Sequence, residues 1–156
     1  MYTLKADRLV KAPAAIVWDV IADVERYAEY APNLSRAVKT SEGPTPSRRC
    51  YDVQGHGWNE ACILWEEGKH YSYIIDTSDY PYPFVQMKGT WGIEERPDGV
   101  LITMRFDYHP KGIWPLTWLM SRALPARFGP IIEKLFDNWE AEISKRVAAG
   151  GSYEAV

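Results

Sequence analysis

The residues best suited to catalytic chemistry lie in one short segment, GWNEACILW, at residues 57–65. Its composition indicates a β-strand, but periodicity alone does not decide whether the face with Glu60 or the face with Ala61 points inward. A glutamate that lines an apolar cavity has a raised carboxyl pKa and can act as a general acid or base. Cys62 would need a neighbouring base to act as a nucleophile, and no histidine is close in sequence, so we interpret it as a small packing residue.

The histidines do not predict a metal site. His56, His70 and His109 are 14 and 39 residues apart, without the paired cysteines or the HExxH-type spacing of zinc sites. Gly55 and Gly57 flank His56 in a predicted turn, but neither the lysine nor the helix start of a phosphate-binding loop follows. We therefore predict no metal and no cofactor.

The composition favours a small hydrophobic ligand over a macromolecular one. The 156 residues include seven tryptophans and ten tyrosines, which predicts either an aromatic-lined cavity or a ring-rich core. The formal net charge is −3 and the basic residues are dispersed, so nucleic acid is not an expected partner. No signal peptide or long apolar run is evident, and the two cysteines are too few for a disulfide framework. We expect a cytoplasmic protein without stable membrane insertion.

The N-terminal part of the chain is predicted to contain a strand followed by two short helices. Residues 2–10 alternate as in a β-strand, and apolar residues at helical spacing follow Pro13, which suits the first turn of a helix. Asp23 can cap a second helix because its side chain accepts unpaired backbone N–H groups, and Pro32 ends that helix. Residues 12–32 therefore predict two helices joined by an elbow.

The rest of the chain predicts a β-meander and a long helix. Turn-forming sequences divide residues 34–109 into about six strands with no helix between them, which predicts an antiparallel sheet. Apolar residues then recur at helical spacing, and we predict a helix over roughly residues 130–149 that ends at a glycine pair after an irregular, proline-containing start. We expect one domain, residues 1–149, and a flexible tail at residues 150–156.

These elements fit together as a helix-grip fold of the α+β class. A sheet of about seven strands, curved by its own twist, closes around the C-terminal helix, and the two short helices fill one end. Because a helix and a curved sheet do not touch everywhere, such a domain tends to enclose an apolar cavity, the usual kind of small-ligand site. The apolar run at residues 113–120 either covers an open side of the sheet or forms a portal or partner-binding surface.

The segment APAAIVWDVIADVERYAEYAP at residues 12–32 resembles the opening of the polyketide cyclase/dehydrase-like branch of the START, or SRPBCC, superfamily. The segment MKGTW at residues 87–91 resembles the Gly-x-Trp strand of that group, and MRFDYHP at residues 104–110 resembles its last strand. The resemblance spans nearly the whole chain and implies fold more than reaction. Three branches fit it: coenzyme Q-binding and ribosome-association proteins, bacterial aromatase/cyclases, and general carriers of hydrophobic ligands.

The resemblance, rather than periodicity, chooses the inward face of the strand that carries Trp58. It implies a set of cavity residues: Tyr27, Trp58, Glu60, Cys62, Leu64, Trp91, Met104, Tyr108 and Phe128. In the aromatase/cyclases, the position of Leu64 would carry an arginine that polarises a carbonyl or stabilises an enolate, which an aliphatic side chain cannot do. In an enzyme of this kind, Glu60 would act with Tyr108 or Tyr27 as proton donor.

We therefore expect the protein to bind a small or medium hydrophobic molecule, aromatic or polyketide-like, in an internal cavity. One alternative is a polyketide aromatase/cyclase or dehydratase that uses the cavity carboxylate and tyrosines. Another is a protein-interaction module that uses the run at residues 113–120. The sequence leaves the oligomeric state open.

Overall fold

A computed structural model of the chain describes the backbone of residues 1–154 and the side chains of residues 1–150. It has seven strands, two short helices and one long helix. The elements in chain order are β1 (Tyr2–Val10), α1 (Ala14–Ile21), α2 (Tyr27–Tyr30), β2 (Leu34–Lys39), β3 (Arg48–Asp52), β4 (Gly57–Glu66), β5 (His70–Ile75), β6 (Phe84–Arg96), β7 (Gly99–Pro110) and α3 (Leu116–Glu154).

The strands form one antiparallel sheet in the order β1-β7-β6-β5-β4-β3-β2. Strands β2 to β7 follow one another as a meander, and β1 pairs with β7, so that Tyr2 lies opposite Tyr108 and Val10 opposite Val100. The sheet curls around α3, and the buried residues of both elements form one hydrophobic core. The predicted α+β helix-grip fold is confirmed.

The two short helices pack at one end of this core. Helix α1 contacts both α3 and β6, and Val17, Val20 and Ile21 are fully buried there. The Asp23 carboxylate accepts the Arg26 backbone N–H at 3.3 Å, so Asp23 closes the turn that leads into α2, whose own N-cap residue is Arg26 without a side-chain cap. These contacts place the ring of Tyr27, the first residue of α2, against the interior of the domain.

Helix α3 is longer than the sequence predicts. It begins at Leu116 and includes both Pro125 and Pro130, so the predicted irregular start is wrong. Pro125 has no N–H to donate to the Ser121 carbonyl four residues earlier, and the Tyr108 hydroxyl lies 3.5 Å from that oxygen and donates to it instead.

The C-terminal end of α3 also differs from the prediction. The helix continues through the glycine pair to Glu154, so the glycines do not end it. Residues 155–156 of the predicted tail lie outside the described residues, and the division into a domain of residues 1–149 and a tail stays a prediction. No helix in the described part of the chain is long and apolar enough to cross a membrane.

A β-bulge in β4 changes which residues face the core. Cys62 pairs with Tyr73, but the next pair is Leu64 with Ser72, so Ile63 is an extra residue. The strand alternates regularly before the bulge and turns Trp65 rather than Leu64 inward after it. Leu64 is 43% exposed, so the prediction that it lines the cavity is wrong.

Candidate functional site

A cavity of about 80 Å³ lies between the inner face of the sheet and α3. Most of its lining is apolar, with Met104 from β7 and Leu135 from α3 on opposite sides. Six residues predicted from the sequence line it: Tyr27, Trp58, Glu60, Trp91, Met104 and Phe128. The fold therefore brings most of the predicted residues to one place.

The polar centre of the cavity is an ion pair between Arg48 and Glu60. The Arg48 Nε donates to Glu60 Oε2 at 2.8 Å, and the two residues are 1% and 5% exposed. The Trp58 Nε1 donates to the other carboxylate oxygen, Oε1, also at 2.8 Å. Both oxygens of Glu60 thus accept hydrogen bonds from buried donors.

The register of two neighbouring strands creates this arrangement. Arg48 lies directly opposite Glu60, and Cys50 lies directly opposite Trp58, in the antiparallel pair β3–β4. Because side chains two residues apart in a strand share one face, all four point to the interior. The ion pair is therefore fixed by backbone pairing as well as by its own attraction.

Aromatic rings surround the Arg48 guanidinium. Its central carbon lies 4.6 Å from the centre of the Tyr27 ring and 4.5 Å from that of Tyr73. The Trp91 ring centre is 5.6 Å away. A desolvated cation over such rings gains about 2 kcal/mol from each favourable contact, so the rings stabilise the charge where water does not reach it.

The guanidinium keeps donors for a ligand. Its hydrogen bonds to described residues run from Nε to Glu60 and from Nη1 to the Val24 carbonyl oxygen, the latter at 3.4 Å. A guanidinium has five N–H donors in a fixed plane. Because Arg48 lines the cavity, an oxygen atom of a bound molecule can accept from those that remain.

Burial changes the titration of several groups around the cavity. Desolvation opposes the Arg48 charge, but Glu60 and its other neighbours outweigh this effect and raise the Arg48 pKa well above its ordinary value. Burial raises the pKa of Cys50 to about 12. It also raises the pKa of Tyr27 and of Tyr80, which therefore stay protonated at neutral pH and can act only as neutral hydrogen-bond groups.

Trp91 is held against the sheet by a glycine. A Cβ atom at Gly89 would lie 2.3 Å from Cη2 of the Trp91 ring, so only glycine leaves room for the indole. The ring also stacks on Tyr71 with centres 5.4 Å apart and meets Phe106 edge-on at 5.6 Å. This explains the Gly-x-Trp pattern of β6 by packing.

Two further predicted residues lie away from the cavity. Tyr108 is buried against Tyr2 and Phe84, and its hydroxyl is directed to α3. Cys62 is half-buried, and its Sγ donates to the Leu64 carbonyl oxygen at 3.4 Å. Neither side chain is among the described residues that border the cavity, so the structure does not bring Tyr108 and Cys62 together with the other predicted residues, and their roles in ligand binding and proton donation stay predictions.

Arg48 is the residue that sequence reasoning missed. The segment Arg48-Arg49-Cys50 offers two arginines on opposite faces of a short strand, and the usual expectation is that both are exposed. The alternation of Arg48 with Cys50 and Asp52 was the available signal, because the three share one face and all are buried. Strand β3 therefore places a cation in the cavity, whereas Leu64 carries none.

An outer groove adjoins the cavity. It has a volume of about 450 Å³ and lies between the loop that contains Tyr82 and the first half of α3. Asn33, Leu124, Phe128 and Ile131 border both the groove and the cavity. These four side chains therefore form the wall between the interior and the outside.

The described residues form no cluster of three or more histidine, cysteine, aspartate or glutamate side chains placed to hold a metal ion. The polar groups that line the site offer hydrogen bonding and charge stabilisation by Arg48, with Glu60 as its fixed partner.

Comparison with solved structures identifies the same fold in several proteins. The Zhui aromatase/cyclase from a Streptomyces species is 21% identical, with a TM-score of 0.74 over 96% of this chain and 98% of that one. One half of the di-domain ARO/CYC StfQ from the steffimycin biosynthetic pathway matches at 12% identity with a TM-score of 0.77, over 94% of this chain and 51% of that one. A START superfamily protein from Mycobacterium smegmatis matches at 16% identity with a TM-score of 0.69, over 92% and 97% of the two chains.

A search of curated proteins finds no sequence match to this chain. The sequence profile of one family, described as polyketide cyclase / dehydrase and lipid transport, matches residues 1–144. Since the match covers almost all of the described residues, the chain belongs to the polyketide cyclase / dehydrase and lipid transport family.

Proposed function

We propose that the protein binds a hydrophobic molecule that carries at least one oxygen acceptor, and that this oxygen meets Arg48 in the cavity. The observation that carries the proposal is a buried arginine, at the wall of a largely apolar cavity, whose hydrogen bonds to the described residues leave N–H donors over. Burying an ion pair costs roughly several kcal/mol per ion in desolvation. A pure hydrocarbon would accept no hydrogen bond from Arg48, so its binding would not offset this desolvation cost.

The dimensions of the site support a ligand that extends beyond the cavity. In another protein, benzene binds in a cavity of about 150 Å³. The cavity here is smaller, about 80 Å³. The adjoining groove is about 450 Å³. A molecule with one or more rings would therefore place its oxygen near Arg48 and displace Leu124 or Phe128 to reach into the groove.

Family membership supports an aromatic or polyketide-like ligand. The rings of Tyr27, Trp58 and Trp91 border the cavity and offer faces and edges for stacking on a flat ligand. Polyketide-like molecules combine such rings with ketone or phenol oxygens, which fits one cation in an apolar space. A protein that only carries a hydrophobic molecule needs no catalytic residue in addition to these.

A second candidate function, polyketide cyclisation or dehydration, is favoured by one specific observation. Leu64 lacks the cation that such chemistry would use, but Arg48 places one in the cavity. An arginine beside a ketone stabilises the negative charge of an enolate. Glu60 is a less suitable proton-transfer group, because both of its oxygens already accept hydrogen bonds from Arg48 and Trp58. Tyr27, whose hydroxyl stays protonated, could then serve only as a hydrogen-bond donor to the ketone oxygen.

The binding proposal is tested with two ligands of matched shape, 2-acetylnaphthalene and 2-ethylnaphthalene. Affinities are measured for the wild type and for the double variant Arg48→Met/Glu60→Gln, which removes both charges together. The ketone should lose about tenfold or more in affinity, the value of one hydrogen bond to a charged group. The hydrocarbon should change by less than about threefold. Equal losses for both ligands, or no ketone binding by the folded wild type, would contradict the proposal.

The enzymatic candidate is tested with a reactive poly-β-ketone. The wild type should shift the products away from those of spontaneous folding, and Arg48→Met/Glu60→Gln should abolish the shift while Leu64→Ala, on the outer face, leaves it intact. Wild-type protein that binds the matched ketone but leaves the product distribution unchanged is a carrier.

A further inference from the structure

An apolar patch lies on the surface between β7 and the first turns of α3. Its five residues are Ile113, Trp114, Leu116, Trp118 and Leu119, which are 79%, 75%, 52%, 45% and 59% exposed. One alternative from the sequence is that this run covers the open side of the sheet. Thr117 is buried in that way, but the five apolar residues of the patch are exposed to solvent. Consecutive large apolar side chains in water indicate an interaction surface.

The patch is bordered by positive charge without negative charge in the same segment. Lys111, Arg122 and Arg127 are exposed, and no aspartate or glutamate occurs between Asp107 and Glu133. This contrasts with a chain whose formal net charge is −3.

Arg122 is in direct contact with an apolar residue of the patch, and Arg127 with the groove. The Arg122 guanidinium lies over the Trp118 ring at 5.3 Å, and Arg127 borders the groove. The Lys111 backbone N–H donates to the Pro83 carbonyl oxygen at 2.8 Å, which joins the segment to the loop on the other side of the groove. That loop carries Asp76 and Asp79, so the positive charge is confined to the α3 side.

We propose that this patch, residues 113–119 with Lys111, Arg122 and Arg127, docks the protein reversibly on an anionic lipid bilayer. Tryptophan, isoleucine and leucine side chains insert at the level of the lipid headgroups, while lysine and arginine beside them pair with anionic headgroups. The groove then opens at the membrane surface. The surface is distinct from the cavity, so docking goes beyond the proposed ligand binding and can succeed or fail independently of it.

Charge complementarity favours a bilayer over a second copy of the chain. In a two-fold dimer through this patch, the same three cations of both copies would face one another across the interface. An anionic bilayer instead offers a negative charge to each of them, and each cation near such a surface strengthens binding by about fivefold.

The test is co-sedimentation of the full chain with vesicles of phosphatidylcholine alone and with about one third phosphatidylglycerol. The wild type should bind the anionic vesicles and release them at high salt. Ile113→Ser/Trp114→Ser should reduce binding by at least tenfold. Arg122→Gln/Arg127→Gln should reduce it by about 25-fold, from the fivefold effect of each cation.

Matched controls change similar residues elsewhere on the surface. Ile63→Ser/Leu64→Ser removes two exposed apolar side chains from the outer face of the sheet, and Lys134→Gln/Lys145→Gln removes two exposed cations from the part of α3 beyond Ile131, away from the patch. Both controls should bind like the wild type.

Three outcomes would overturn the docking proposal. They are absence of binding to anionic vesicles, equal binding to neutral ones, and a wild-type dimer in analytical ultracentrifugation that Ile113→Ser/Trp114→Ser converts to monomer. The affinities of the ketone and the hydrocarbon are measured without lipid, so the test of the binding proposal does not depend on any of these three outcomes.

Discussion

Replacing Glu60 by glutamine should destabilise the fold far more than the loss of one polar contact suggests. The glutamine side chain has the same shape and can still accept from Trp58, so packing is preserved. What changes is the charge: Arg48 is left as a buried cation without its anion, 2.8 Å from a neutral amide. The arginine does not respond by losing its proton, because a guanidinium stays protonated in proteins.

The size of the effect follows from burial. Removing one partner of a buried ion pair costs about 3–5 kcal/mol, and here the side chains of Arg48 and Glu60 are 1% and 6% exposed. The rings of Tyr27 and Tyr73 continue to stabilise the cation, which favours the lower end, about 3 kcal/mol. For a chain of 156 residues this corresponds to a fall in Tm of roughly 6–12 °C.

Urea unfolding at neutral pH measures this difference. Glu94→Gln is the matched control, because Glu94 pairs with Arg96 on the exposed surface, and it should change the free energy of unfolding by less than about 0.5 kcal/mol. Adding Arg48→Met to Glu60→Gln should recover at least about 2 kcal/mol, since no buried charge remains. A stability of Glu60→Gln within about 1 kcal/mol of the wild type, or no recovery in the double variant, would refute the reasoning.

Three further predictions follow from the cavity and its walls. Gly89→Ala should destabilise the fold by about 1–3 kcal/mol in urea unfolding, because its methyl group overlaps the Trp91 ring; unchanged stability would show that the ring moves freely. Phe128→Ala should speed the entry of 2-acetylnaphthalene in stopped-flow fluorescence, because the wall between cavity and groove loses its largest side chain; an unchanged rate would place the entrance elsewhere. With the pKa of Cys50 at about 12, only about one in ten thousand of these thiols is ionised at pH 8, so a thiol reagent should modify Cys62 alone in the folded protein, and loss of both thiols at the same rate would contradict that burial.

The fold was predictable from the sequence because its signals are local. The meander follows from turn residues at regular spacing, and the elbow between α1 and α2 follows from Asp23, whose carboxylate accepts the Arg26 N–H. The two ends of α3 were not predictable in this way. Proline does not stop the helix at its start, where the Tyr108 hydroxyl satisfies the Ser121 carbonyl that Pro125 leaves free. Glycine at the other end keeps its backbone N–H and lowers helix propensity by only about 1 kcal/mol, so it does not by itself end a helix.

The cavity was predictable in part, and the errors have separate physical causes. Once the family resemblance chooses the inward face, alternation along β4 places Trp58 and Glu60 on it, but a single extra residue at the bulge reverses the faces beyond Cys62. That reversal moves Leu64 to the outer face. The burial of Arg48 was not predicted because it depends on the pairing of β3 with β4, which places Arg48 opposite Glu60. The sequence of one strand alone does not indicate which strand it pairs with or in which register.

The most direct test of the central claim is an NMR titration of ¹⁵N-labelled protein with 2-acetylnaphthalene, followed at side-chain N–H signals. If the ligand occupies the cavity with its oxygen at Arg48, the Arg48 Nε–H and the indole N–H signals of Trp58 and Trp91 should shift together and saturate at one ligand per chain. The indole signals of Trp114 and Trp118 on the exposed patch should not move. Shifts confined to Trp114 and Trp118, or shifts of Trp58 and Trp91 that leave Arg48 unchanged, would contradict the account.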